Sequence, residues 1–115
     1  NTNGQPAPQG RLLAWVDAPL NGARLPLNVP YPVVCHGADP GWMAAVEFSV
    51  NSSVAETYPA SEKNPMLLTA SFSWLPTVPG RTVLECRAQN ASGAWSELAQ
   101  SVVMVHDSII RFCGM

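Results

Sequence analysis

The side chains able to do chemistry are few and widely spaced. His36 and His106 are the two histidines of the 115-residue chain. General acid–base work needs such a group oriented by a partner beside a pocket. Asp107 follows His106 directly, but successive residues of an extended chain point to opposite faces, so these two do not converge. Cys35, Cys86 and Cys113 show no C-x-x-C spacing, which argues against a thiolate metal centre. Asp17, Asp39 and Asp107 are isolated from one another, whereas calcium takes clustered oxygen ligands. No nucleophile elbow, phosphate loop or paired-carboxylate signature occurs. The pattern predicts a protein that is not an enzyme and needs no metal or cofactor. Recognition chemistry is what remains. An indole offers an apolar face and one N–H donor, and Trp42 and Trp95 both stand beside turn residues.

Positioning those groups falls to short strands. Apolar stretches recur every 8–12 residues or so between turn signals, the pattern of a sandwich or barrel. The 11 prolines argue against helices. Strands are predicted at 12–17, 31–36, 44–50, 54–58, 66–74, 82–88 and 96–105. Along the third, Val46, Phe48 and Val50 alternate with Glu47 and Ser49. Along the fifth, Leu68, Ala70, Phe72 and Trp74 share a face opposite Thr69, Ser71 and Ser73. Along the sixth, Leu84, Cys86 and Ala88 turn inward, and Glu85 and Arg87 turn outward. Pro19-Leu20-Asn21-Gly22, Asp39-Pro40-Gly41, Pro79-Gly80 and 90–93 supply the turns. Asn51-Ser52-Ser53 and Asn90-Ala91-Ser92 match the glycosylation sequon on turns, a pattern that also arises by chance. Residues 1–10 have linker composition, residues 11–106 form one sandwich domain, and residues 107–115 form a tail.

Several of these segments resemble bacterial immunoglobulin-like (Big-type) domains. The opening strand and turn 14–22, the 38–41 loop leading into Val46-Glu47-Phe48-Ser49-Val50-Asn51, and Trp74-Leu75-Pro76 all fit. So do Pro79-Gly80, Cys86-Arg87-Ala88-Gln89-Asn90 and Ser92-Gly93. The resemblance covers residues 12–105. It implies an all-β, Greek-key, immunoglobulin-like β-sandwich of seven to eight antiparallel strands, used as a spacer, stalk or adhesive module of secreted proteins. Leu84 stands two positions before Cys86, where a tyrosine corner would need Tyr, and Trp42 precedes the third strand instead of lying within it. Both departures point away from the antibody-type domain.

In such a sandwich Cys35 and Cys86 lie on facing strands, where an inter-sheet disulfide goes. Two buried free thiols are the alternative. A bridge requires an oxidising compartment, so the expected location is extracellular or at the cell surface. Cys113 is then the odd thiol, open to an intermolecular bridge, to remaining free, or to a partner further along a longer chain. The chain opens on Asn1, which reads as following a removed signal or lipoprotein anchor.

With the usual strand order, the connections 37–42, 59–65 and 90–95 meet at one end. His36, Asp39, Trp42 and Trp95 are the candidate binding-loop residues there, suited to stacking on and hydrogen bonding to glycans. The plainer expectation is that both tryptophans fold over and plug the open end of the core.

Charged residues are 12% of the chain and the net charge is −2. Lys63 is the one lysine, and Arg11, Arg24, Arg81, Arg87 and Arg111 are scattered, which excludes a nucleic-acid footprint. No apolar run approaches the ~20 residues of a transmembrane segment. Protein–protein contacts are the expected partnership, with glycans second. The first strand offers an unpaired edge, and Ile109-Ile110 with Phe112 offers an apolar tail segment beside Cys113.

Overall fold

The computed structural model of the protein describes residues 12–107. Eight strands form in the order β1 (Leu13–Ala18), β2 (Arg24–Pro26), β3 (Tyr31–Ala38), β4 (Met43–Val50), β5 (Ser53–Pro59), β6 (Leu67–Trp74), β7 (Gly80–Asn90) and β8 (Ala99–His106). Two sheets stack into a sandwich, one ordered β1-β3-β6 and the other β2-β8-β7-β4-β5. Neighbours are antiparallel except β2 and β8, which run parallel with Arg24 opposite Met104 and Pro26 opposite His106. This is an immunoglobulin-like β-sandwich. The sequence pattern overlooked β2, since a three-residue strand contributes a single inward side chain, Leu25.

Period-two alternation fixes which residues fill the space between the sheets. Val33, Cys35, Val46, Phe48, Ala70, Phe72, Leu84, Cys86, Ala88, Val103 and Val105 are buried between them. Phe48 of one sheet stacks on Phe72 of the other with ring centroids 5.2 Å apart, and Tyr58 meets Phe72 edge-on at 6.2 Å. Cys35 of β3 and Cys86 of β7 are joined by a disulfide across the sheets, with Cα atoms 6.5 Å apart.

Glu85 sits on the outer face, as alternation requires, yet it is buried. Gln100 on the neighbouring strand covers it and donates a 2.8 Å hydrogen bond to its carboxylate. Ser49 is likewise buried on that face, beside a register shift between β4 and β5.

The β4–β5 hairpin turns on Asn51 and Ser52, both at positive φ, as a two-residue hairpin loop requires. The Asn51 side-chain oxygen accepts a hydrogen bond from the Val83 N–H, so this sequon residue braces the turn.

Strand direction sets where the chain enters and leaves. Leu13 pairs with Ala38 at the end where β3 turns into β4. Val105 pairs with Gly80, at the opposite end of β7 from Asn90, which pairs with Met43. The described chain therefore enters at one pole and leaves at the other. The N-terminal stretch 1–10, Cys113 and the apolar tail around Ile110 and Phe112 lie outside the described residues.

Candidate functional site

The loop pole is tied together by main-chain hydrogen bonds among three connections. The Asp39 N–H donates to the Met66 carbonyl at 3.0 Å and the Met43 N–H to the Pro65 carbonyl at 2.7 Å. The Ala91 N–H donates to the Trp42 carbonyl at 2.9 Å. Asp39, though acidic, is 3% exposed. One of its carboxylate oxygens accepts from the Gly41 N–H at 2.7 Å, and the other accepts from the Asn90 side-chain amide at 2.9 Å. The first bond is an Asx turn, which the Asp39-Pro40-Gly41 sequence favours. The second clamps the 39–42 loop to the loop after β7. On that loop the Asn90 side-chain oxygen accepts from the Ser92 and Ala94 N–H groups. The Asn90 oxygen thus shapes its own turn while its amide nitrogen ties that turn to Asp39.

This bracket holds Trp42 in an unfavourable backbone state. Its φ is 83°, a region a bulky side chain rarely enters and one that costs about 1–3 kcal/mol. Its N–H donates to the Asp39 carbonyl at 3.0 Å, and its own carbonyl accepts from Ala91. Trp42 is 40% exposed and Trp95 is 39% exposed. The core at this pole is closed instead by Met43, which is 3% exposed.

Trp95 has a partner that the sequence did not announce. The Arg87 guanidinium lies 3.9 Å over its ring centroid, a cation–π arrangement. The same guanidinium donates to the Glu47 carboxylate at 2.7 Å. Glu47 and Arg87 are directly opposite each other across β4 and β7, so register supplies the pair. One face of the Trp95 indole is therefore covered by the protein itself.

His36 does not join the loop pole. Alternation along β3 places it on the outer face of the three-stranded sheet, in one row with Trp15 and Thr69. Trp15 stacks on it at 5.1 Å. One ring nitrogen, Nε2, lies 3.2 Å from the Asp17 carboxylate, and the other, Nδ1, lies 3.0 Å from the Thr69 hydroxyl. Both nitrogens are thus engaged, with an exposed Asp17 at one side. Among the described residues no three His, Cys, Asp or Glu side chains gather as a metal site.

Close approach of the sheets at this pole depends on Gly37. A Cβ there would stand 2.7 Å from Met43 Cε and 2.8 Å from Ala88 Cβ. Met43 can swing away, but the Ala88 methyl is fixed to the β7 backbone. Gly37→Ala should therefore lower stability by about 1–3 kcal/mol, the overpacking range, read as a lower urea midpoint at an unchanged slope. An unchanged midpoint would mean that the sheets part at no cost.

The bracket yields a second expectation. Asp39→Ala should lose about 2–3 kcal/mol, because two donors then lack their charged acceptor. Asp39→Asn, which keeps an acceptor, should lose less. Equal losses in thermal unfolding of the two variants would show that the acceptor role is not what matters.

No family model matches the sequence, and no curated protein matches it. Solved structures do share its fold. The fibronectin(III)-like modules of Clostridium thermocellum CbhA superpose with a TM-score of 0.65 at 16% identity, over 83% of this chain and 98% of theirs. The CARDB domain of the PF1109 protein from Pyrococcus furiosus, solved with di-metal ions, gives 0.63 at 14% identity, over 83% of this chain and 87% of its own. A chitin binding domain from Burkholderia pseudomallei gives 0.57 at 10% identity, over 75% of this chain and 57% of its own. At these identities the likeness is one of fold: the chain has the immunoglobulin-like sandwich that fibronectin(III)-like and CARDB domains also have.

Proposed function

We propose that this chain is a non-catalytic, extracellular immunoglobulin-like module of the bacterial cell-surface kind, working as a structural spacer or as an assembly subunit. The observation that carries this role is the polarity of the chain: the described segment enters beside Ala38 and leaves beside Gly80, at opposite poles of the sandwich. A module threaded in this way extends a tandem array by its full length. The inter-sheet disulfide supports an oxidising location. The fold alone does not assign function; the placement of entry and exit at opposite poles is what suits a spacer.

A second role, recognition of a glycan or a protein at the loop pole, is favoured by one specific observation. Trp42 is held at positive φ by hydrogen bonds while its indole remains partly exposed. Strained residues of this sort cluster at functional sites.

Glycan binding separates the two roles, and association separates a spacer from a subunit. Analytical ultracentrifugation of the full chain, with and without reductant, reads association. Glycan-array screening of the wild type beside a Trp42→Ala, Trp95→Ala double variant reads recognition. The spacer or subunit role expects no glycan binding, with either a monomer or a reductant-sensitive oligomer joined through Cys113. Glycan binding that disappears in the double variant would replace that role with recognition at the loop pole.

A further inference from the structure

At the pole opposite Trp42 and Trp95, the outer face of the five-stranded sheet carries a basic, partly apolar hollow. Met104 of β8 is directly opposite Arg24 of β2 on one side and Arg81 of β7 on the other. Two strand spacings separate the arginine backbones, about 10 Å. Gly22, Val102 and Met104 line the hollow between them. Met104 is 41% exposed although it lies mid-sheet. His106 lies two positions further along the same outward column of β8. Arg87 has Glu47 as its partner, whereas neither Arg24 nor Arg81 forms an ion pair among the described residues. Asp107, three positions past Met104, is engaged in a contact of its own.

Two guanidinium forks with no ion pair among the described residues flank an apolar floor and match a ligand of defined chemistry. Each fork binds a carboxylate or sulfate oxygen pair bidentately, and Met104 and Val102 suit the C–H face of a ring between anionic groups. A peptide strand fits poorly. β2 is three residues long and Pro26 has no N–H, so its free edge cannot template another strand. We infer that Arg24, Arg81 and the Met104 floor form a subsite for an acidic polysaccharide, one that carries carboxylate or sulfate groups on successive rings. This would let a surface module rest on an anionic matrix while the loop pole faces elsewhere.

The test is amide-resolved NMR titration of the full chain with four probes: a polyuronate oligosaccharide, a sulfated oligosaccharide, sodium sulfate and poly-glutamate. One of the two oligosaccharides is expected to shift amides at Arg24, Arg81, Val102 and Met104. Its affinity should fall at least about tenfold in an Arg24→Ala, Arg81→Ala double variant and should weaken at high salt. Lys63→Ala, which removes an exposed positive charge at the other pole, should leave it unchanged. Whether the uronate or the sulfate ester binds more tightly identifies the anion. Binding of free sulfate as tight as that of either oligosaccharide would reduce the site to an adventitious ion only. Poly-glutamate binding as tightly would make it a peptide site. No shifts, or shifts elsewhere on the sandwich, would overturn the inference outright.

Discussion

Phe48→Ala should lower folding stability by about 3–5 kcal/mol, the range for emptying a buried aromatic site. Phe48 is 2% exposed and bridges the two layers by stacking on Phe72 at 5.2 Å. Its removal takes away burial, an aromatic pair and the filler between β4 and β6. The site cannot collapse easily, because the disulfide fixes β3 to β7 and thereby limits how far the layers move together. Phe48→Leu, which refills most of the volume, should lose less than half as much. Denaturant unfolding with both variants checks this. A Phe48→Ala loss below about 1 kcal/mol belongs to surface positions and would mean that this stack does not hold the layers together.

Removing the bridge is expected to have a comparable effect. The disulfide joins residues 51 positions apart. In the chain-entropy model a loop of that size is worth about 4 kcal/mol, within a range of ~2–5 for native bridges of small secreted domains. Both sulfurs are buried, so alanine is the fair replacement: it adds no polar atom in the core. The Cys35→Ala, Cys86→Ala double variant should lose about 2–5 kcal/mol, and reductant should then leave its stability unchanged. Wild type in reductant should approach the double variant. A double variant as stable as the oxidised wild type would show that the sandwich is held by packing alone. Each single variant tests something else, since it frees one thiol in addition to Cys113.

Much of the layer structure was legible because alternation is a local signal. Leu68, Ala70 and Phe72 against Thr69, Ser71 and Ser73 can be placed on faces without knowing any neighbour. The convergence of three connections at one pole followed from the usual strand order of such a sandwich. The groups that decide the chemistry of the surface were not legible, because they meet only through register. Glu47 and Arg87 are 40 residues apart, and their pairing needs the β4–β7 alignment to within one residue. Trp15, His36 and Thr69 form a row for the same reason, which took His36 away from the loop pole where sequence proximity to Asp39 had put it. Arg24 looked scattered in sequence and became half of a basic pair once β2 lay parallel to β8.

Asp39 divides the two cases. Its turn was readable from the following Pro and Gly. Its burial was not, since that depends on Asn90, 51 residues further on. Nothing in residue type announces that Trp42 occupies a positive φ, because its conformation is imposed by the hydrogen bonds on either side of it.

The spacer role stands on the ends of the domain lying at opposite poles, and a single distance tests that most directly. Spin labels introduced as non-canonical amino acids at Leu13 and His106 leave every cysteine untouched. β7 runs the length of the sandwich with 11 residues, which at about 3.4 Å each sets the axial span at roughly 30–35 Å. Double electron–electron resonance on the oxidised full chain should give one narrow distribution near that span. A distribution centred below about 20 Å would bring the entry and exit to the same pole, and a module with both ends together cannot extend an array.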